Sequence, residues 1–106
     1  MLCGTAYFLR DEGMTILRAD ENFYSLIGYQ PEEFEDFYES QMIQAVQLSD
    51  YEAIGLFIFS GRKEADVTFH IVQKYGILKR IRVHATQKGE QDGCDIMRGE
   101  FYEADE

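Results

Sequence analysis

The chain has 106 residues, 45% of them hydrophobic and 14% aromatic, with a formal net charge of −10. A chain of this size buries one core without disulfides or a structural metal, and it has no apolar run of about 18 residues with which to span a bilayer. The acidic balance excludes the clustered Lys and Arg that nucleic-acid binding needs and disfavours direct contact with an anionic membrane.

The charge is uneven. Residues 1–53 carry 11 acidic and 2 basic side chains, whereas residues 54–106 carry 9 and 8. The opening MLCGTAYFLRDEG lacks the basic start and long apolar stretch of a secretory leader, so the expected location is the cytoplasm. Cys3 and Cys94 belong to no CxxC or Cys/His cluster of metal-ligand spacing, and in a reducing compartment both are expected as free thiols.

In chain order, CGTAYFL (3–9) and MTILRA (14–19) are β-prone runs around RDEG, where Asp11 and Gly13 supply the turn of a hairpin. A helix is predicted from about Asp20, whose carboxylate caps the first turn. Phe23, Leu26 and Ile27 form its apolar face. Gly28 stands where a left-handed residue ends a helix, and Tyr29 follows where a side chain packs back on the last turn. Pro31 opens a second helix at its first position, with Glu32 and Glu33 in the turn where the dipole favours negative charge. Phe34 and Phe37 are expected to face the core.

The segment DFYESQMIQAVQ (36–47) reads as a short helix or irregular turn. In SDYEAIGLFIFSG (49–61), Ser49 and Glu52 have capping-box spacing. Ile54, Phe57 and Ile58 make the buried face of this third helix, and Gly61 is expected to end it. Gly55 weakens its interior by about 1 kcal/mol relative to Ala, which predicts a close packing contact there. Three strands follow. Val67, Phe69 and Ile71 alternate with Asp66, Thr68 and His70, and Ile81, Val83 and Ala85 alternate with Arg80, Arg82 and His84. Tyr75-Gly76 is predicted as a tight turn, and KGEQDG (88–93) as a hairpin loop before CDIMRGEFYEA. Two long hairpins imply a mostly antiparallel sheet. The order β-β-α-α-α-β-β-β is that of an α+β domain with helices on one face.

These residues resemble a known family. ILRADENFYSLIGYQPEEF is similar to the strand and "aN.aF..l.GY..eE" pattern of PAS domains, the sensor modules of histidine kinases, cyclic-di-nucleotide enzymes and other signalling proteins. Ala19-Asp20 stand at the "aN", Phe23 at the aromatic, Gly28-Tyr29 at the "GY", and Glu32, Glu33 and Phe34 at the "eE" element. QLSD (47–50) resembles the family's "HPDD", keeping Asp50 but not the histidine and proline. VTFHIVQKYGILKRIRV resembles the paired "rl..kdG..rwv" strands, with Tyr75 in place of the usual acidic residue. The resemblance covers Cys3 to about Tyr102. It implies a five-stranded antiparallel sheet in order 2-1-5-4-3, with short helices packed on one face. The first and fifth strands would then run antiparallel, placing Cys3 opposite the end of the strand that Cys94 opens, so the two thiols are expected to be unbonded.

For chemistry, no GxSxG, Walker loop or HExxH is present. His70 and His84 fall on the polar side of their strands and read as solvent-facing. Glu32, Glu33, Glu35, Asp36 and Glu39 lack EF-hand spacing and read as a charged helix surface. No catalytic or metal-ligating residue is therefore assigned. Within the resembled family, flavin photochemistry through a thiol is excluded because ESQMIQAVQLSD has no cysteine. Haem is disfavoured because no histidine precedes position 70. The resemblance implies a small-molecule pocket lined by Phe23, Leu26, Ile27, Phe34, Ile54, Phe57, Phe69, Ile81 and Val83, or a plain core of the same residues. The expected protein is a single sensor domain over residues 1–106, excised from a longer chain. It would act without catalysis on an output domain, kinase or cyclic-di-nucleotide enzyme, and form a homodimer. The alternatives are a ligand-free dimerisation module, a haem or other cofactor sensor, and a small enzyme or ligand carrier on the same fold.

Overall fold

The computed structural model describes residues 3–104. Its elements are β1 (Cys3–Leu9), β2 (Ile16–Ala19), α1 (Glu21–Ile27), α2 (Pro31–Tyr38), α3 (Tyr51–Ile58), β3 (Glu64–Val72), β4 (Leu78–Gln91) and β5 (Cys94–Glu103). Short 3-10 turns occupy Met42–Ala45, Leu48–Asp50 and Lys74–Gly76. The five strands form one sheet in order β2-β1-β5-β4-β3, with every neighbouring pair antiparallel. The expected order is borne out. So is the placing of the cysteines: Cys3 pairs with Tyr102 and Cys94 with Gln91, and both thiols are free.

The caps explain why α1 and α2 form where they do. The Asp20 carboxylate accepts the Phe23 N–H at 2.9 Å, which satisfies one of the unpaired donors of the first turn. Gly28 adopts φ 81° and returns its N–H to the Tyr24 carbonyl, ending α1. Pro31 stands at the start of α2, and the Glu33 carboxylate reaches back to the Gln30 N–H at 2.9 Å.

At both hairpin tips between long strands, two successive residues have positive φ: Tyr75 and Gly76 (65° and 76°), and Asp92 and Gly93 (53° and 82°). At Asp92-Gly93, the two central residues of a two-residue turn, that is the backbone twist that matches the strands on either side.

Several expectations are corrected. β2 begins at Ile16, because Met14 adopts φ 50° and breaks the extended run. Phe37 is exposed: α2 has only eight residues, and it buries Phe34. Ser49 caps nothing, since Leu48–Asp50 winds as a 3-10 turn that runs straight into α3. α3 ends at Ile58 with Phe59 as its cap, and Gly61 (φ 69°) turns the chain afterwards. A Cβ on Gly55 would meet nothing within 4 Å, so no close contact stands behind it in this chain. Residues 88–91 continue β4 past a register shift, which leaves Asp92-Gly93 as the whole turn.

Candidate functional site

All nine residues expected to line a pocket are brought together. Phe23, Leu26 and Ile27 of α1, Phe34 of α2, Ile54 and Phe57 of α3, Phe69 of β3, and Ile81 and Val83 of β4 are all buried in one core cluster. Aromatic edges fill the centre. Phe23 meets Phe101 at 4.9 Å and 81°, and Phe34 at 6.4 Å and 83°; Phe8 lies 6.2 Å from Phe57.

Two glycines allow this closeness. A Cβ on Gly4 would stand 2.4 Å from the Phe23 backbone, so α1 rests directly on β1. A Cβ on Gly99 would fall within 3 Å of the Phe8 and Phe101 rings. The arrangement lets these rings and the α1 backbone come into direct contact.

An open cleft of about 700 Å³ lies over the junction of α1 and α2. Tyr24, Gly28, Tyr29 and Pro31 form part of its wall, and Asp20, Glu21, Glu32, Glu33 and Lys74 supply its charge. The Lys74 ammonium pairs with the Glu33 carboxylate, and this bond, with the Gln30 N–H, holds Glu33 below the usual carboxylate range. Burial, followed by the nearby Glu35 and Glu32 charges, pushes the Tyr24 phenol up. Burial and the hydrogen bond to Tyr38 push Tyr29 up further. The Tyr29 and Tyr38 hydroxyls are 3.0 Å apart, and Tyr29 also donates to the Val72 carbonyl at 3.1 Å. Gln73 Nε2 donates to the Leu26 carbonyl at 3.2 Å. The α1–α2 junction is thus tied to the β3–β4 tip. Sequence reasoning passed over this cleft because its polar lining reads as solvated helix surface.

The outer face of the sheet carries the histidines. His84 Nδ1 lies 2.9 Å from Asp66 and Nε2 2.9 Å from Glu64, and the bond to Asp66 leads in raising its pKa. His70 Nδ1 lies 3.1 Å from Asp50, whose carboxylate also accepts the His70 N–H at 2.7 Å. Arg18 stacks 4.4 Å over the Tyr7 ring beside a second hollow of about 230 Å³. Among the described residues, no group of three or more His, Cys, Asp or Glu side chains is placed to hold a metal ion. Nor is any helix among them long and apolar enough to cross a membrane.

Sequence reasoning also missed Arg10. Its guanidinium is buried, pairs with Asp95 and donates to the Arg62 carbonyl at 2.6 Å. It ties the end of β1 to β5 and to the loop after α3. Its partners lie 52 and 85 residues away, and the only signal for them is the β1–β5 pairing itself.

Neither a protein-family model nor a curated protein sequence matches the chain. Solved structures do. The PAS-B domain of Drosophila melanogaster Cycle, with bound ethylene glycol, superposes with a TM-score of 0.74 at 11% identity, over 95% of this chain and 99% of that one. A PAS domain from a two-component sensor histidine kinase gives 0.71 at 10% identity, over 98% and 86%. The PAS domain of an HTR-like protein from Haloarcula marismortui gives 0.67 at 15% identity, over 96% and 81%.

Proposed function

The chain has the PAS fold, and from that premise we propose that it is a non-catalytic sensory module of the cytoplasm, regulating an output domain joined to it or bound by it. The observation that carries the reading is the tie between the α1–α2 junction and the β3–β4 tip through Tyr29, Gln73 and Lys74. A ligand or partner that favours one setting of the junction shifts the population toward that setting, and no further than its preference allows. The open cleft falls in the size range of small-molecule sites, roughly 300–1,000 Å³, and needs no rearrangement to receive one. A ligand among the nine core residues would have to pass the elements that bury them. Association without any ligand is the second form of the same reading.

The test compares the output activity of the full gene product with residues 3–104 intact and deleted, alongside native mass spectrometry of the purified protein. Deletion is expected to change the output. A retained small-molecule mass assigns the sensing form, and a bare mass the association form. Unchanged output on deletion overturns the proposal.

A further inference from the structure

The helix α3 is apolar on both of its sides. Ile54, Phe57 and Ile58 are buried, yet Leu56 and Phe59 on the other side are 71% and 75% exposed, and Leu48 just before the helix is 77% exposed. Positions 48, 52, 56 and 59 follow helical spacing and fall on one stripe. Glu52 is the only charge between Tyr51 and Phe59. A helix apolar all round is normally a buried one. With Tyr51 alongside, the stripe offers on the order of 500 Å² of apolar side chain. That is more than half of the roughly 800 Å² that each partner contributes to a standard interface.

Gly55 points the same way. It costs the helix about 1 kcal/mol relative to Ala, although its backbone is ordinary helix and a Cβ would meet nothing within 4 Å. Nothing inside the domain requires it. It lies one turn from both Glu52 and Phe59, where a missing side chain lets a second helix approach closely. The charges around it are self-complementary. Glu52 sits in the first turn, Arg62 and Lys63 lie exposed just past the last, and none of the three forms an ion pair among the described residues. Two copies with antiparallel helices bring the Glu52 of each toward the Arg62-Lys63 end of the other, and oppose their dipoles favourably.

We propose that the outer face of α3 is a self-association surface, filled by α3 of a second copy packed antiparallel across a two-fold axis. The inference deepens the signalling reading, on which it rests, by naming the surface through which association would act.

The test is sedimentation equilibrium of the full chain, with circular dichroism to confirm folding. The wild type is expected to dimerise, and Leu56→Glu or Phe59→Glu to raise the dissociation constant at least tenfold, both side chains being exposed and dispensable to the core. Glu52→Lys is expected to weaken the dimer, and Glu52→Lys with Lys63→Glu to recover part of the loss. Arg98→Glu, on the outer sheet face, is expected to leave it unchanged. With Cys3→Ser and Cys94→Ser in place, Leu56→Cys is expected to yield a disulfide-linked dimer on oxidation. A chain that stays monomeric at every accessible concentration overturns the proposal. So does a dimer that survives Phe59→Glu but is lost with Arg98→Glu. Neither outcome touches the signalling reading, which the deletion experiment reads separately.

Discussion

Replacing Gly4 with alanine is expected to be among the costliest single-methyl changes in this protein. The added Cβ would stand 2.4 Å from both Cα and N of Phe23 and 2.9 Å from the carbonyl carbon of Asn22. These are backbone atoms, so no side chain can swing aside. Ordinary contact begins at 3.4 Å, and in a close-packed interior α1 must therefore retreat from β1 by about 1 Å. Three short bonds resist that retreat: Thr5 N–H and Phe23 N–H to the Asp20 carboxylate, and Asp20 N–H to the Thr5 carbonyl. A hydrogen bond lengthened that far is effectively broken. Overpacking at about 1–3 kcal/mol and the lost cap at about 1 kcal/mol place the total near 2–4 kcal/mol. That is a large share of the 5–15 kcal/mol typical of a domain. Gly55→Ala provides the contrast. Its Cβ enters open space on an ordinary helical backbone, so the domain should gain about 0.5–1 kcal/mol. Urea unfolding followed by circular dichroism or tyrosine fluorescence, the chain having no Trp, measures both at concentrations low enough to keep the chain monomeric. A Gly4→Ala loss below about 1 kcal/mol, or a destabilising Gly55→Ala, would refute the reasoning.

Arg10→Met leaves Asp95 without its cation and the Arg62 carbonyl without its donor, and should cost about 2–4 kcal/mol. Arg10→Met with Asp95→Leu should cost less than the sum of the two single changes in a denaturation cycle. His84 has its pKa raised above the ordinary 6.5 by Asp66, with Glu64 assisting. Its stabilising contribution is therefore fully present below that value and fades as pH rises through the elevated folded value. Because the imidazole is well exposed, the effect should be a fraction of a kcal/mol. NMR titration should show the His84 midpoint falling in Asp66→Asn, and an unmoved midpoint would refute the assignment. Tyr75 holds φ 65° while 98% exposed. Tyr75→Asn, a residue at ease in that conformation, should therefore stabilise by about 0.5–1 kcal/mol in the same unfolding assay.

What the sequence made legible was whatever depends on near neighbours. Alternation at Val67, Phe69 and Ile71 placed the inner face of β3, and Gly28 with Pro31 fixed the break between α1 and α2. Phe37 misled because it lies three residues from Phe34, a spacing that fits one face, whereas this short helix presents only a narrow line to the core. Ser49 and Glu52 misled because the capping pattern cannot tell a helix start from a 3-10 turn leading into one. Gly4 and Gly55 look alike in sequence, yet one lies against the backbone of another element and the other faces empty space. The nine inward residues were identifiable one by one. Whether they enclose a space depends on how aromatic rings from several different elements pack against one another, and no local pattern encodes that.

Beside the shared apolar core, two polar attachments of the α1–α2 unit to the sheet differ in kind. At one end α1 sits backbone to backbone on Gly4, and the Asp20 carboxylate bonds both elements. At the other end the junction is held by side-chain groups: the Tyr29 hydroxyl, the Gln73 amide and the Lys74 ammonium. Each such bond contributes roughly 0.5–1.5 kcal/mol net, with the exposed ion pair at the low end. Displacing the Gly4 contact disturbs close-packed backbone as well as the cap. Of these two attachments, the side-chain bonds at Tyr29 and Lys74 are therefore the cheaper to open. They lie at the rim of the acidic cleft. A molecule bound there would act on the weaker of the two attachments, where a small preference is enough to change the balance of states.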